Sequence, residues 1–330
     1  MIAGFLLFLG GCSKVEPERR TRLMFDTVVS VTIHAEKGAN TGEIFAMIWS
    51  ELEEWQKALD AYDSSAFLFE LNLTDSFTTS NPRLISALET GHEYGRKTSH
   101  AYDIRVGGIV RLWDFTGEGV VPSEESLEIT LAEADHPLEI HSVTDTINRN
   151  TGQKNASVTI IKNRNTILDL GGLGKGIAAE GAAKALDTIP EIRRYIIDLG
   201  GNIAVGGKGE KPFIIGIRDP KAPDDVIAKF VLEPGKSCAT AGDYQRFFDY
   251  EGVRYHHIID PKTGYPARKL SAVTVKAPDA ATADILSTAL FVMGYDEGMV
   301  FLKNTPSVRA AFFGTEGKHI GGNLEIEAVR

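Results

Sequence analysis

The sequence predicts an α+β fold, a single domain of two closely packed α/β lobes with a ligand site between them. Three observations lead there. Short β-branched segments crowd the second half of the chain without the regular helix-for-strand alternation of a doubly wound parallel sheet. Helical periodicity is confined to a few longer segments separated by short connections. No repeat, low-complexity tract or long linker divides the 330 residues, of which 43% are hydrophobic and 24% charged, so one large core is within reach.

The chain opens on MIAGFLLFLGGCSK, an apolar run too short to span a bilayer. Leu9, Gly10 and Gly11 before Cys12 resemble a bacterial lipobox, in which a leader is removed and the cysteine is acylated. The expectation is a signal peptide over 1–11, a lipidated tether over 12–21 and a folded body over 22–330. Such a protein is anchored by lipid to the inner membrane of a bacterial envelope and faces the periplasm. Cys238 is the second of two cysteines and reads as a small buried thiol, so acylation of Cys12 leaves no intramolecular disulfide. A net charge of -10 without a Lys/Arg cluster excludes a nucleic-acid face. An anionic ligand must then be held locally, with the help of a metal.

Along the body, residues 22–36 alternate as a strand, and residues 42–61 place apolar residues at helical spacing. Asn81 and Pro82 supply a cap and a first-turn proline for a helix to about residue 98, and Pro122-Ser123 starts another through 134. Short strands are expected at 138–141, 158–161 and 167–170, then a helix from about 176 to Pro190. Strands follow at 194–202, 211–219, 228–233, 254–260 and 271–277. A pair of helices, 280–293 and 296–303, precedes a strand at 308–313.

The stretch LDLGGLGKGIAAEG carries four glycines and Lys175 between a strand and a helix. It fails the dinucleotide pattern G-x-G-x-x-G, because the third position after Gly172 and Gly174 is Ile177. It fails the P-loop, because Asp169 stands five residues before Gly174 and Gly176 follows Lys175. Asp169, a tight glycine turn, Lys175 and a helix N-terminus can still hold an anion; a sterically packed turn with a solvated lysine is an equal reading. Asp284 and Thr288 lie four apart on a helix, so one hard cation can be shared by carboxylate and hydroxyl, although capping and solvated surface are the better explanation of such a pair when it stands alone. His256 and His257 point to opposite strand faces, so one of them at most faces a given site. Ala101-Tyr102-Asp103 and the glycines of DLGGNIAVGG suit ligand-lined loops.

In their order along the chain these pieces resemble the ApbE family of FAD:protein FMN transferases. The resemblance covers nearly the whole body through MFDT, LDAYDSS, AYDIRVGGIVRLWDF, LDLGGLGKGIAAE, IDLGGN, CATAGDYQR, YHHIIDPKTGYPA and ADILSTALFVMG. It implies an ApbE-type, T-fold-like domain that uses Mg²⁺ to cleave FAD, releases AMP and attaches FMN through a phosphoester to Thr or Ser of another protein. It further implies that Met24, Tyr62, Ala101, Tyr102, Asp103, Asp169, Lys175 and Ile259 line the FAD site. Asp284, Thr288 and the carbonyl of Gly172 would hold Mg²⁺, and His257 would be the base. MFDT departs from the family's Met-Gly-Thr, Ala241 replaces a serine, and the surroundings of Gly108 differ.

Family acceptors resemble D-x-x-T/S-x-A-T/S. The nearest string here starts at Asp284 and ends in Leu290, inside the expected metal helix, so modification is expected in trans on an exported flavoprotein. Two alternatives use the same residues: a metal-dependent FAD pyrophosphatase in which water attacks, and a lipoprotein that binds FAD without chemistry.

Overall fold

The computed structural model describes residues 16–115, 117–147 and 154–329. The expected leader and Cys12 lie outside the described residues. Strands β1 (Glu18–Met24) and β2 (Thr27–Ala35) form a hairpin, and α1 (Thr41–Leu59) follows, capped by Asn40, whose side chain accepts from the Glu43 amide. Then come α2 (Phe67–Asn72), β3 (Ser76–Thr79) and α3 (Pro82–Lys97); Asn81 caps α3 and Pro82 fills its first turn, where no N–H is required. A 3₁₀ turn, Ile104–Val106, leads into α4 (Gly107–Trp113), and Ser123 caps α5 (Glu124–Ala134). Strands β4 (Glu139–Ile147) and β5 (Lys154–Ile161) pair with β3 in a small sheet of order β3-β5-β4.

Helix α6 (Gly171–Asp187) opens the second half, followed by β6 (Ile192–Leu199), β7 (Asn202–Gly206), β8 (Phe213–Asp219), β9 (Ala222–Leu232) and β10 (Ser237–Gly242). The hairpin β11 (Phe247–Tyr250) and β12 (Val253–His256) precedes β13 (Ala272–Ala277) and α7 (Ala280–Lys303). Strands β14 (Arg309–Phe313), β15 (His319–Gly322) and β16 (Glu327–Ala328) close the chain.

The frame is an antiparallel eight-stranded sheet, β1-β2-β6-β7-β10-β13-β14-β15. Alternate residues of its strands enter two cores, as the two-residue period requires. Ala239, Val273, Val275 and Phe312 pack under α1, α6 and α7, whereas Cys238, Ala272, Ala311 and Phe313 pack against the small sheet β8-β9-β16. The mixed α+β class and the rejection of a doubly wound sheet agree with this arrangement.

Several boundaries differ from expectation, each for a physical reason. The folded body begins at Glu18, not at residue 22, so the stretch expected to be tether contributes most of β1. Its composition, ERRTRLM, hid the strand because its arginines serve as packing groups: Arg20 stacks over Phe45 at 4.4 Å and Arg22 over Trp49 at 4.9 Å. Residues 167–170 are extended but join no sheet. Asn72 takes both backbone groups of Leu168, the Ile167 carbonyl accepts from Gly107 and the Asp169 amide donates to Ile104. Helix α6 starts at Gly171, so the four glycines lie within a helix and form no turn. The expected pair of C-terminal helices, by contrast, is found: α7 is two helical segments joined by a kink at Gly294, whose φ of 79° is left-handed.

Candidate active site

The crossing of α6 and α7 explains Gly176. A Cβ at Gly176 would lie 2.3 Å from the Ala280 carbonyl oxygen and 2.5 Å from the Asp284 Cβ, so only glycine lets the helices approach this closely. The approach delivers Asp284 Oδ2 to the Gly176 amide at 2.8 Å. In a regular helix that amide belongs to the carbonyl four residues back, that of Gly172. Asp284 therefore draws on the N–H that would otherwise occupy Gly172. Above Gly172, a Cβ would meet Tyr102 Cε2 at 3.1 Å and Thr288 Oγ1 at 3.3 Å, which puts Thr288 and the Tyr102 ring beside this backbone. Asp284 is buried, and burial pushes its carboxyl upward against the opposing influence of Lys175 and the Gly176 amide.

Tyr102 is buried with its hydroxyl unpartnered. Burial, reinforced by the charges of Asp284, Asp169 and Asp103, drives its pKa far up, so it remains a neutral donor. An orphaned buried hydroxyl among carboxylates signals a missing polar partner. Asp169 accepts from the Gly171 amide at 2.6 Å and so caps the first turn of α6. Lys175, one turn along, reaches back to the Gly171 carbonyl at 3.3 Å.

His256 and His257 separate as strand alternation requires. His256 is buried against Phe291, and its Nε2 lies 2.7 Å from the Ala267 carbonyl. His257 is half-buried; its amide donates to the Arg246 carbonyl at 3.1 Å, and its Nδ1 lies 3.3 Å from the same oxygen. A carbonyl only accepts, so this contact puts the proton on Nδ1 and leaves Nε2 as the free base. Burial first, then the charge of Lys175, depresses the His257 pKa to about 3, so the ring is neutral at physiological pH.

Tyr62 lies in the loop after α1. Burial and the Asp169 charge raise its pKa to about 12, and Arg111 approaches its ring at 5.7 Å. Arg246 acts electrostatically on both Tyr62 and His257 and pairs with Asp26 at 3.3 Å. Asp26 and Phe25 form the β1–β2 turn with φ of 54° and 52°, a left-handed pair that explains why glycine is usual after the family's methionine.

The structure thus brings together Tyr62, Tyr102, Asp169, Gly172, Lys175, His257, Asp284 and Thr288. Four expected residues stand apart. Met24 is buried at the end of β1 and lines a groove of about 420 Å³ that reaches Asp63 and Ser65 beside Tyr62. Asp103 caps the 3₁₀ turn, and its carboxylate is taken by Arg105 at 2.7 Å and His100 at 2.7 Å, within a separate concavity of about 260 Å³. Burial alone would raise its pKa, but those hydrogen bonds hold it below the usual range. Ile259 is buried with Trp113 and Ile109 and forms a bridge to Pro266, and Ala101, also buried, donates its amide to the Thr98 carbonyl. Arg111 and Arg246 carry positive charge at the rim and were not singled out from the sequence. Their signal was available in RLW and YQR, but a single arginine in an acidic chain does not announce its neighbours.

An oxygen set of one carboxylate, one hydroxyl and one carbonyl suits a hard cation that keeps waters and takes substrate phosphates as further ligands. Among the described residues no group of three His, Cys, Asp or Glu side chains converges, so a closed all-protein metal cage is not what this arrangement offers. The unpartnered Tyr102 hydroxyl, the helix N-terminus and Lys175 favour an anion next to such a cation.

Comparisons with known proteins show the family. The family model described as ApbE family matches residues 25–313. A Treponema pallidum protein named FAD:protein FMN transferase is 30% identical over 321 residues, covering 92% of this chain and 86% of the relative. A Vibrio cholerae protein of the same name is 31% identical, with 89% and 87% covered. The crystal structure of the ApbE protein of Thermotoga maritima superposes with a TM-score of 0.78 at 28% identity, covering 95% of this chain and 97% of the other. The apo flavinyl transferase ApbE of Pseudomonas stutzeri, at 23% identity and a TM-score of 0.74 over 96% and 95%, shares the fold.

Proposed function

The chain belongs to the ApbE family, and on that premise we propose that it transfers the FMN half of FAD to a Thr or Ser hydroxyl of another protein, with Mg²⁺ and with release of AMP. The observation that carries this reading is the meeting of neutral His257, Lys175, Tyr102 and Asp284 at the start of α6. The amides of that helix start and the Lys175 ammonium offset the pyrophosphate charge locally, as an acidic chain requires. His257 Nε2 accepts the proton of the acceptor hydroxyl, whose oxygen bonds to the FMN phosphorus as the bridging P–O bond breaks and AMP departs. Arg246 holds the imidazole through its carbonyl, and Tyr102 donates its hydroxyl to a phosphate oxygen. Asp284, Thr288 and the Gly172 carbonyl are the groups that would hold Mg²⁺, which supplies Lewis-acid neutralisation of the phosphates when bound. Tyr62, flanked by Arg111, offers the isoalloxazine an exposed ring to stack on.

We further propose that Cys12 is acylated and tethers the enzyme to the periplasmic face of the inner membrane, where exported flavoproteins present their hydroxyls. The test incubates the protein with FAD and Mg²⁺, with and without a carrier protein bearing the segment Asp-Gly-Ala-Thr-Ser-Ala-Thr, and follows AMP, FMN and carrier mass. Gain of FMN by the carrier is expected. AMP and FMN formed equally without carrier would identify a pyrophosphatase, and intact FAD a binding protein.

A further inference from the structure

The hairpin β11–β12 stands outside every larger sheet and ends next to His257. Its pairing fixes which backbone groups face out. His257 donates to Arg246, so Arg246 and His257 are a bonded pair. Alternation then makes Phe248–Tyr255 and Tyr250–Val253 the next bonded pairs. The N–H and C=O of Phe247 and Asp249 point away from β12. Among the described residues none takes these groups up. The opposite side of the hairpin is occupied: beyond β12 the chain pairs Ala267 with Ile258, and His256 reaches the Ala267 carbonyl. One face of the hairpin packs on Trp113 through Phe248 and Tyr255. The other face presents Phe247, 40% exposed, under the guanidinium of Arg254 at 3.7 Å, while Tyr250, on the Trp113 side by alternation, is 52% exposed near the tip.

Natural proteins blunt an open edge with charge, proline or cover. This one is short and carries the charge of Asp249, which guards against indiscriminate pairing, and it bears an exposed aromatic and leads straight to the catalytic base. We propose that the outer edge of β11 is the docking edge for the acceptor polypeptide, which adds to it as an extended strand and runs past Arg246 so that its hydroxyl reaches His257. The proposal rests on the transferase reading above. Charge identifies the occupant's character: Arg246 and Arg254 stand exposed in a chain of net charge -10, and Arg246 already holds the exposed carboxylate of Asp26. An acceptor segment carrying an acidic residue can take over that contact. Phe247 and Arg254 supply the aromatic and arginine anchors common at protein interfaces.

The test replaces Asp249, whose amide faces outward, by proline. Asp249→Pro removes an edge donor and leaves the β11–β12 ladder bonds in place; Asp249→Ala, which keeps the donor, is its control. With the carrier bearing Asp-Gly-Ala-Thr-Ser-Ala-Thr as acceptor, Asp249→Pro is expected to raise the acceptor KM by about tenfold or more relative to Asp249→Ala, with FAD affinity unchanged. Equal acceptor KM in the two variants overturns the docking edge and leaves the transferase reading intact. If Asp249→Pro loses FAD binding, the wild-type enzyme is read instead against synthetic acceptor peptides N-methylated one residue at a time. Loss at alternate residues supports strand addition, and loss without that period overturns it. Failure of the wild type to modify the carrier while FAD is intact removes the transferase reading and the docking edge with it.

Discussion

Asp284 joins the packing of α6 on α7 to the proposed metal chemistry. Its carboxylate is buried and bonded to the Gly176 amide, and burial raises its pKa, so an ionised Asp284 costs the metal-free protein stability. Asp284→Asn keeps an acceptor for Gly176 and removes the charge. It is expected to raise the melting temperature of the metal-free protein by about 2–4 °C per kcal/mol of relieved desolvation, to abolish the stabilisation produced by Mg²⁺, and to abolish flavin transfer. Calorimetry with and without Mg²⁺ checks the first two and carrier mass after incubation with FAD the third, and an unaltered Mg²⁺ response sinks the metal assignment. Both histidines are depressed by burial. His256 is depressed to about 4 by burial, against a value of about 6.5 in an unfolded chain. Protons then bind the unfolded state preferentially, so stability is complete above about pH 6.5 and falls as pH drops toward 4, by an amount on the order of 3 kcal/mol from this residue. His256→Gln is expected to make that limb shallower in denaturant titrations between pH 6.5 and 4, with His257, which is depressed in the same direction, and the carboxylates accounting for what remains. His257 answers to the ligand. Lys175 is second to burial among the causes of its depression, so Lys175→Met, or an anion bound on Lys175, is expected to raise the His257 pKa. NMR titration of the imidazole reads the change, and an unmoved value would separate Lys175 from the base.

At the scale of elements, the packing of α6 on α7 decides what the glycine-rich stretch is. Gly176→Ala forces its Cβ into the Ala280 carbonyl, whereas a Cβ at Gly174 meets Leu59 Cδ1 at an ordinary 3.8 Å. Gly176→Ala is expected to destabilise by about 1–3 kcal/mol and to weaken Mg²⁺ binding by displacing Asp284. Gly174→Ala is expected to be neutral or stabilising by up to about 1 kcal/mol, and equal thermal stability of the two variants would refute close helix packing as the reason for glycine at 176. The same contrast shows where sequence reading stopped. Helix propensity argues against starting a helix on Gly171 and Gly172, and the contact that overrides it comes from Asp284, 108 residues away. The expected strand at 167–170 failed likewise, since Asn72, 96 residues earlier, takes the bonds a strand partner would have made. Local signals were readable where the chemistry is local. Asn81-Pro82 and Ser123 cap as expected, and the break between residues 293 and 296 is the left-handed Gly294. Motif order made the cluster of Tyr62, Tyr102, Asp169, Lys175, His257 and Asp284 legible, although the side chain of Asp103 turns to Arg105 and away from them.

For the whole molecule, the sequence conveyed the α+β class of a single domain, whereas the two-sided core emerged only in the structure, and the sequence misplaced where the body begins. A tether and an edge strand have the same polar composition, and the difference lies in what the arginine stems cover. Glu18–Met24 pairs in register with β2, from Glu18 opposite Ile33 to Met24 opposite Thr27. Arg20 shields Phe45, Arg22 shields Trp49 and bonds Glu53 at 2.8 Å, and all of this closes the edge of the eight-stranded sheet over α1. A soluble form starting at residue 16 is therefore expected to fold with the full stability of the body. One starting at residue 22 loses the pairs of Glu18, Arg19, Arg20 and Thr21 and uncovers the Phe45 ring. With a net hydrogen bond worth about 0.5–1.5 kcal/mol and a cation–π contact about 0.5–1 kcal/mol, the shorter form is expected to lose about 2–5 kcal/mol. It also frees the edge of β2, which invites association through the unpaired strand. Urea denaturation of the two forms measures the first consequence and light scattering the second. Coincident unfolding midpoints would return residues 18–21 to the tether, whereas a lower midpoint for the shorter form fixes the point at which any lipid-bearing segment gives way to the folded enzyme.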